Sequence, residues 1–328
     1  VVLAVYGGLL GLTWWGFTHT PTGFIPQQDK GYLLVNVQLP DASSVTRTKD
    51  VVRQIEAIAL ETPGVKHTVA ISGQSILLGA NASNFGALYL MLDDFDDRTR
   101  SDLSGDAIAA ALQDRFGAEV PRAVVNIFGA PPVEGLGTAG GFKIVVQDTG
   151  DNGLPALQRT ADKVVAAGES DASLQGVFTS FRADTPWLEL VIDRMQAKDR
   201  GVSIDDVRTT LESTIGPYYI NDFNRFGRTW QVNVQARDTF RGSPEDIKLL
   251  QVRNNQNEEV PLADFATVRT VSGPVLVMRY NMYPASAVNC SAAPGVSSGQ
   301  AIERIEEVTR GELLGRSMRY EWTELALL

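Results

Sequence analysis

The chain has 328 residues, of which 44% are hydrophobic and 21% charged, a composition typical of a folded protein with two or three packed domains. Its 29 lysines and arginines against 39 acidic residues give a net charge of -10, which argues against nucleic acid or an anionic lipid surface as a partner. The single cysteine, Cys290, excludes an internal disulfide, so packing alone must hold the fold together.

The first predicted element is an uncharged helix over residues 1–17, which begins with Val rather than Met. It is slightly shorter than the roughly 20 residues of a membrane-spanning helix, and it ends near Trp14 and Trp15, aromatic residues that favour the membrane boundary. We therefore expect the end of a transmembrane helix from a longer chain, followed by a connector over residues 18–30. A secretory signal would need a basic leader, and no Lys or Arg precedes Lys30. A buried core helix is the remaining alternative.

Residues 31–135 predict a first lobe in the order β-α-β-β-α-β, because short apolar or alternating segments interleave with segments of helical period. The predicted strands are 32–39, 66–71, 87–92 and 123–128, and the predicted helices are 44–61 and 102–118. Ser104 is a plausible N-cap of the second helix, and Pro63 and Gly64 stop the first.

A second lobe of the same kind is predicted over residues 136–215 and 274–323, interrupted by a strand-rich inserted domain at 216–273 and followed by a truncated tail at 324–328. Strand 187–192 and helix 204–215, which starts at a capping-box serine, Ser203, are assigned to this lobe. The predicted fold class is α+β, with two tandem ferredoxin-like split β-α-β lobes. Both helices of each lobe would cover one face of its sheet, and the free sheet faces would form a cleft.

Candidates for catalytic nucleophiles, acids, bases or metal ligands are scarce. The chain has two histidines, in different predicted units, and Cys290 lies in an apolar strand where a buried small residue is expected. The acidic run 93–97 lacks the loop spacing of an EF-hand, so a solvated strand end is the simpler interpretation. We therefore predict no catalytic residue, no metal and no cofactor.

Residues 135–140 match the dinucleotide-binding pattern G-x-G-x-x-G, but the context argues against a nucleotide site. That pattern needs a helix after the glycines, whereas an apolar strand is predicted from Phe142. The glycines instead predict a tight hinge between the lobes. The hinge candidates are Gly135, Gly137, Gly140 and Gly141.

Segment 73–84 joins two predicted strands of the first lobe and is longer than the about two to five residues of an ordinary hairpin loop. Its apolar centre, Ile76-Leu77-Leu78, is flanked by small residues. The trio either folds back as filler or projects into the cleft as a mobile apolar gate.

Several ordered motifs carry a family resemblance over nearly the whole chain. They are PTGFIPQQDKG at 21–31, GLGTAGGF at 135–142, INDF at 220–223, VPLADF at 260–265 and APG at 293–295. In their order and spacing the chain resembles the resistance-nodulation-division (RND) multidrug efflux transporters, in particular the hydrophobe/amphiphile efflux branch of the acriflavine-resistance (AcrB-like) type.

The resemblance implies a homotrimeric exporter in the inner membrane of a Gram-negative bacterium, driven by proton antiport and not an enzyme. This chain would be its second periplasmic loop, and the proton-relay residues would lie in membrane helices outside it. The two lobes would form the porter domain that binds hydrophobic or amphiphilic substrates. The inserted domain would help to dock an outer-membrane channel, and a periplasmic adaptor (membrane fusion) protein would complete the assembly.

The resemblance also implies a substrate-binding switch loop, with Tyr89 and Phe128 as candidate pocket walls. The switch-loop residues are Gly73, Gln74, Ser75, Ile76, Leu77, Leu78, Gly79, Asn81 and Asn84. The aliphatic centre departs from aromatic-rich versions of this loop, and flat aromatic ligands stack best on aromatic walls.

Three alternatives stay open. A membrane-anchored ferredoxin-like binding or scaffolding module would have the same lobes without transport. The metal-exporting branch of the same family is a closer alternative, although the switch loop has no cluster of Met or His. An enzyme would need a nucleophile and a base in the cleft.

Overall fold

The computed structural model describes residues 2–19, 28–313 and 317–327. The first element, α1 (Val2–His19), is a helix whose apolar side chains are exposed along its length. Across the described ranges, no helix combines the length and the apolar character needed to cross a membrane. Most of the predicted connector, together with the part of the 21–31 motif before residue 28, lies outside the described residues, as does residue 328 of the predicted tail.

The chain is a mixed α and β protein with several antiparallel sheets, and it divides into two compact units. The larger unit comprises Val1–Thr185 and Pro274–Leu328, and the smaller unit is Pro186–Gly273. The larger unit contains two lobes, each with its own sheet and its own hydrophobic core.

The first lobe has the predicted order of elements. They are β1 (Tyr32–Gln38), α2 (Val45–Leu60), β2 (Val65–Ser75), β3 (Ala80–Leu92), α3 (Gly105–Glu119) and β4 (Val124–Gly129). The strands lie in the order β2-β3-β1-β4, so Val35 on the central strand β1 pairs with Leu88 on one side and Ile127 on the other. Alternate side chains of β1 face the two sides of the sheet.

Helix α2 shows why this lobe folds as it does. Its buried residues recur every three or four positions and form a single face against the sheet: Thr48, Val51, Val52, Ile55, Ile58 and Ala59. Ser44 caps its first turn by accepting a hydrogen bond from the Arg47 amide. After the helix, Gly64 has φ +91°, and a Cβ there would lie 2.5 Å from Cδ1 of Ile108. Any other residue at position 64 would have an unfavourable φ and would displace the end of the Ile108 side chain of α3.

The segment between β2 and β3 is a β-hairpin, so the expectation of a long loop was wrong. Gln74 pairs with Asn81 and Ser75 with Ala80, which leaves only residues 76–79 as the turn. The register shifts between Ser72 and Gln74, at a β-bulge. Both strands therefore continue through most of the predicted switch loop.

The second lobe repeats the strand order of the first. Its elements are β5 (Phe142–Asp148), α4 (Leu154–Glu169), β6 (Leu174–Phe178), β13 (Met278–Tyr280), β14 (Tyr283–Ala292), α8 (Ser298–Leu313) and β15 (Met318–Thr323). Strand β14 pairs with β6 and β5, and β15 pairs with the other edge of β5. Ser297 and Gln300 exchange hydrogen bonds at the start of α8, which is a capping box.

The smaller unit holds the remaining elements. They are β7 (Thr185–Ile192), α5 (Arg194–Asp199), α6 (Ile204–Thr214), β8 (Tyr218–Arg225), β9 (Arg228–Val234), α7 (Pro244–Lys248), β10 (Gln251–Arg253), β11 (Glu259–Pro261) and β12 (Ala266–Gly273). Its core gathers apolar residues of α5, α6, β10, β11 and β12. Ser203 caps α6 through the Asp205 amide.

The smaller unit begins at Pro186, whereas the sequence placed the start of the inserted domain at residue 216. Strand β7 pairs with β12, and Val207 of α6 packs in the core of the smaller unit. The third strand and second helix of the second lobe are instead β14 and α8.

Candidate functional site

The two lobes meet through the sheet faces that their helices leave free. Leu34 and Phe128 of the first lobe pack with Phe178 of the second, and each of these side chains is at most 6% exposed. The rings of Phe128 and Phe178 lie 5.5 Å apart between centroids. Tyr32, Leu77, Tyr89 and Ala139 surround this cluster. The contact closes part of the space between the sheets.

Beyond this contact lies a cleft with an empty volume of about 720 Å³, part of which is open to solvent. Its lining comes from both lobes. The residues are Gln38, Asp41, Leu77, Leu78, Phe85, Lys143, Ser180, Phe181, Arg182, Val275, Leu276, Met278, Ala285, Ser286, Ala287 and Asn289. A mostly apolar wall with a few polar groups is the ordinary form of a small-molecule site.

A second, smaller cavity of about 220 Å³ lies beside the ring contact. Leu77, Lys143 and Asn289 line both cavities, while Phe128, Gly140 and Glu324 line only the smaller one. Lys143 forms an ion pair with Glu324, and both side chains are mostly buried. The wall shared by the two cavities therefore contains one apolar side chain from the hairpin turn and one cation that is already paired.

The predicted switch-loop residues do not all lie at the cavities. Leu77 and Leu78 line the large cleft, whereas Ile76 lines neither cavity. Ser75 and Asn84 are buried and hold the hairpin: the Ser75 hydroxyl donates to Asn36 Oδ1, and the Asn84 amide donates to the Leu39 carbonyl. The remaining members, which line neither cavity, are Gly73, Gln74, Gly79 and Asn81.

The four predicted hinge glycines also differ from one another. Gly135 and Gly141 have positive φ values, and a Cβ on Gly141 would lie 2.5 Å from the Cys290 carbonyl oxygen. The Gly140 amide donates to the Gly129 carbonyl, which closes the segment at the end of β4. A Cβ on Gly137 would lie 3.0 Å from Glu324 Oε2. This segment therefore packs closely against the second lobe.

Of the two candidate pocket walls, Phe128 lines the smaller cavity, and Tyr89 packs on the ring cluster without lining either cavity. The contribution of the second lobe was not predicted from the sequence, and it includes Phe178, Ser180, Phe181 and Arg182. The available signal was Lys143, a cation directly before the apolar run Ile144-Val145-Val146 of β5.

The candidate residues for catalysis or metal binding do not lie together in one site. Cys290 is buried, and burial raises the pKa of its thiol to about 12. His67 is exposed on β2. In the acidic run, Asp94 forms an ion pair with Lys66 at 2.9 Å, and the hydrogen bond from Lys66 lowers the pKa of this carboxyl. Among the described residues, no three His, Cys, Asp or Glu side chains come together as metal ligands.

Comparison with known proteins agrees with the earlier resemblance. The model of the AcrB/AcrD/AcrF family matches residues 1–327. The chain is similar to the toluene efflux pump membrane transporter TtgB of Pseudomonas putida, with 32% identity over 95% of this chain and 29% of that protein. It is also similar to the multidrug export protein AcrF of Escherichia coli, with 31% identity over 94% of this chain and 30% of that protein.

A third relative is the multidrug resistance protein MdtF of Escherichia coli, 28% identical over 94% of this chain and 30% of that protein. The chain thus spans less than a third of the length of each of these relatives. The match of the family model along almost every residue, together with these identities, shows that the chain belongs to the AcrB/AcrD/AcrF family of RND multidrug efflux transporters.

Proposed function

We propose that this chain is the periplasmic substrate-binding and docking part of an inner-membrane, proton-driven exporter of hydrophobic and amphiphilic compounds. The observation that carries the proposal is the cleft between the two lobes, whose wall is mainly apolar. The names of the relatives, which describe toluene efflux and multidrug export, support the same conclusion.

In this proposal the two lobes are ferredoxin-like porter lobes, the first over residues 31–135 and the second over residues 136–185 and 274–323. The smaller unit, Pro186–Gly273, is the docking domain. Helix α1 is the end of a transmembrane helix, since its apolar side chains are exposed in the chain alone. The complete protein is a homotrimer that works with a periplasmic adaptor and an outer-membrane channel, and its proton relay lies outside this chain.

The hairpin turn 76–79 is the switch element of the cleft, because Leu77 contributes to both cavities and to the ring cluster. An apolar side chain at this position moves with little cost in hydrogen bonds, so substrates of different shape can repack against it. Gly135 and Gly141 set the path of the chain between the lobes.

The experiment is a susceptibility assay with the complete gene in an efflux-deficient Gram-negative host. We expect higher resistance than the empty vector to at least some dyes, detergents or antibiotics. Immunoblotting of the membrane fraction establishes equal expression of all variants. A protein that is present in the membrane at normal levels and changes resistance to none of these compounds would favour the scaffolding alternative.

A further inference from the structure

The two cations that line the large cleft differ in their described partners. Lys143 and Arg182 both line the cleft, and Lys143 already contacts Glu324. In the described part of the chain, no carboxylate lies within ion-pair distance of Arg182. Asp41 lines the same cleft without reaching it. Among the described residues, no contact therefore neutralises the charge of Arg182.

The guanidinium of Arg182 is fixed on one side only. Its Nη1 donates to the carbonyls of Phe181 at 2.8 Å and Thr179 at 3.4 Å. No described residue accepts a hydrogen bond from its Nε or Nη2. These two nitrogens form the edge of the guanidinium that matches the two oxygens of a carboxylate. The two main-chain contacts restrain the guanidinium of Arg182 and leave this edge without a described partner.

Ser180 supplies a second unpaired group, two residues earlier in the same segment. It lines the cleft and is only 5% exposed, yet its Oγ has no hydrogen-bond partner in the described structure. A buried hydroxyl without a partner is unfavourable, and native proteins usually pair such groups with protein, water or ligand. Rotation about one side-chain bond changes the direction in which this hydroxyl donates.

We propose that the large cleft binds amphiphiles with a carboxylate head group, which Arg182 holds through its free edge and Ser180 through its hydroxyl, while the apolar tail lies against Leu77, Leu78 and Phe85. The proposal rests on the function proposed above and names a substrate class for the same cleft. Burial of the tail supplies affinity, and the guanidinium supplies the preference for an anionic head.

The test uses the complete transporter, purified and reconstituted in lipid nanodiscs, with two fluorescent probes that differ only in the head group. The probes are dansylaminoundecanoic acid and its methyl ester, titrated against empty nanodiscs as background. We expect Arg182→Gln to weaken binding of the acid about tenfold and to leave binding of the ester unchanged. Arg182→Lys retains the positive charge but not the planar guanidinium. Its affinity for the acid should therefore lie between the affinities of the wild type and of Arg182→Gln.

Two further variants complete the design. Ser180→Ala should weaken binding of the acid about threefold, and Arg208→Gln, at an exposed arginine of the smaller unit, should change neither probe. Unchanged binding of the ester also shows that each variant is folded. Equal affinity of the wild type for acid and ester, or an equal loss of both in Arg182→Gln, would overturn the carboxylate preference while leaving the proposed function intact. Binding of neither probe would count against both proposals.

Discussion

The ring of Phe128 in the first lobe and the ring of Phe178 in the second lie 5.5 Å apart between centroids, with their planes tilted by 37°. The two sheets share no strand pairing among the described residues, so side-chain contacts of this kind hold their faces together. Both rings are nearly buried, which makes the contact an energetic link between the lobes.

Removal of either ring should lower the stability of the protein. Because the rings contact each other, the two stability losses should not be additive. We expect Phe128→Ala and Phe178→Ala each to lower the free energy of unfolding by about 3 kcal/mol. The double mutant should differ from the sum of the single mutants by about 1 kcal/mol, measured by urea denaturation. Phe240→Ala is the control, since that ring is 67% exposed in the smaller unit. Strictly additive effects would mean that the rings act independently.

The hairpin turn offers a matched comparison of three neighbouring side chains. Leu77 and Leu78 line the large cleft and Ile76 does not. We expect Leu77→Ala and Leu78→Ala in the complete transporter to lower resistance to apolar compounds by about fourfold, because apolar contact area with the substrate is lost. Ile76→Ala should retain resistance at equal expression. A similar loss in all three variants would indicate a general packing defect in the turn.

The two glycines with positive φ between the lobes should differ in how much a Gly→Ala substitution lowers the free energy of unfolding. Gly135 has φ +84° with open space around a Cβ, so Gly135→Ala should cost about 1 to 2 kcal/mol from backbone strain alone. Gly141 has φ +100°, and its Cβ would also meet the Cys290 carbonyl. Gly141→Ala should therefore cost about 2 kcal/mol more, measured by denaturation of the purified protein. Equal costs would show that strand β14 moves aside without penalty.

The Asp171 carboxyl should contribute to the loss of folding stability at low pH. Hydrogen bonds from Ser173, followed by one from Arg304, lower the pKa of its carboxyl from 3.8 to about 2. Because the folded pKa is the lower one, this stabilisation is complete above pH 3.8 and is lost as the pH falls towards 2. The Asp171→Asn variant should show a weaker pH dependence of the unfolding midpoint in that window. A wild-type slope in Asp171→Asn would show that these hydrogen bonds do not contribute to the pH dependence of stability.

Much of the first lobe was predictable because its elements follow one another along the chain. The spacing of Val51, Ile55 and Ile58 indicates the buried face of α2, and Ser104 accepts a hydrogen bond from the Ala107 amide as an N-cap should. The extension of the hairpin was not predictable. Residues 79–84 are mostly small or polar and have low strand propensity, so cross-strand pairing and the bulge at Ser72 decide their structure.

The cleft was harder to predict, because its second wall comes from residues that are distant in sequence. Hydrophobic periodicity identifies a strand but does not name its neighbour, so β7 was assigned to a lobe whose third strand is β14. Ser180 and Arg182 follow β6 in a segment without regular structure. Nothing in the local pattern indicates that they meet Leu77 at one cavity.

The strand pairing of the second lobe also constrains the order in which the protein folds during synthesis. Ile144 of β5 pairs with Val288 of β14 and Trp322 of β15, and the whole of Pro186–Gly273 is made between β6 and β14. The first lobe is complete once β4 has left the ribosome, while β5 still lacks both of its neighbours. During that interval β5 has two open edges, which are prone to pair with other chains. The second lobe therefore needs protection from aggregation for longer than the first lobe does.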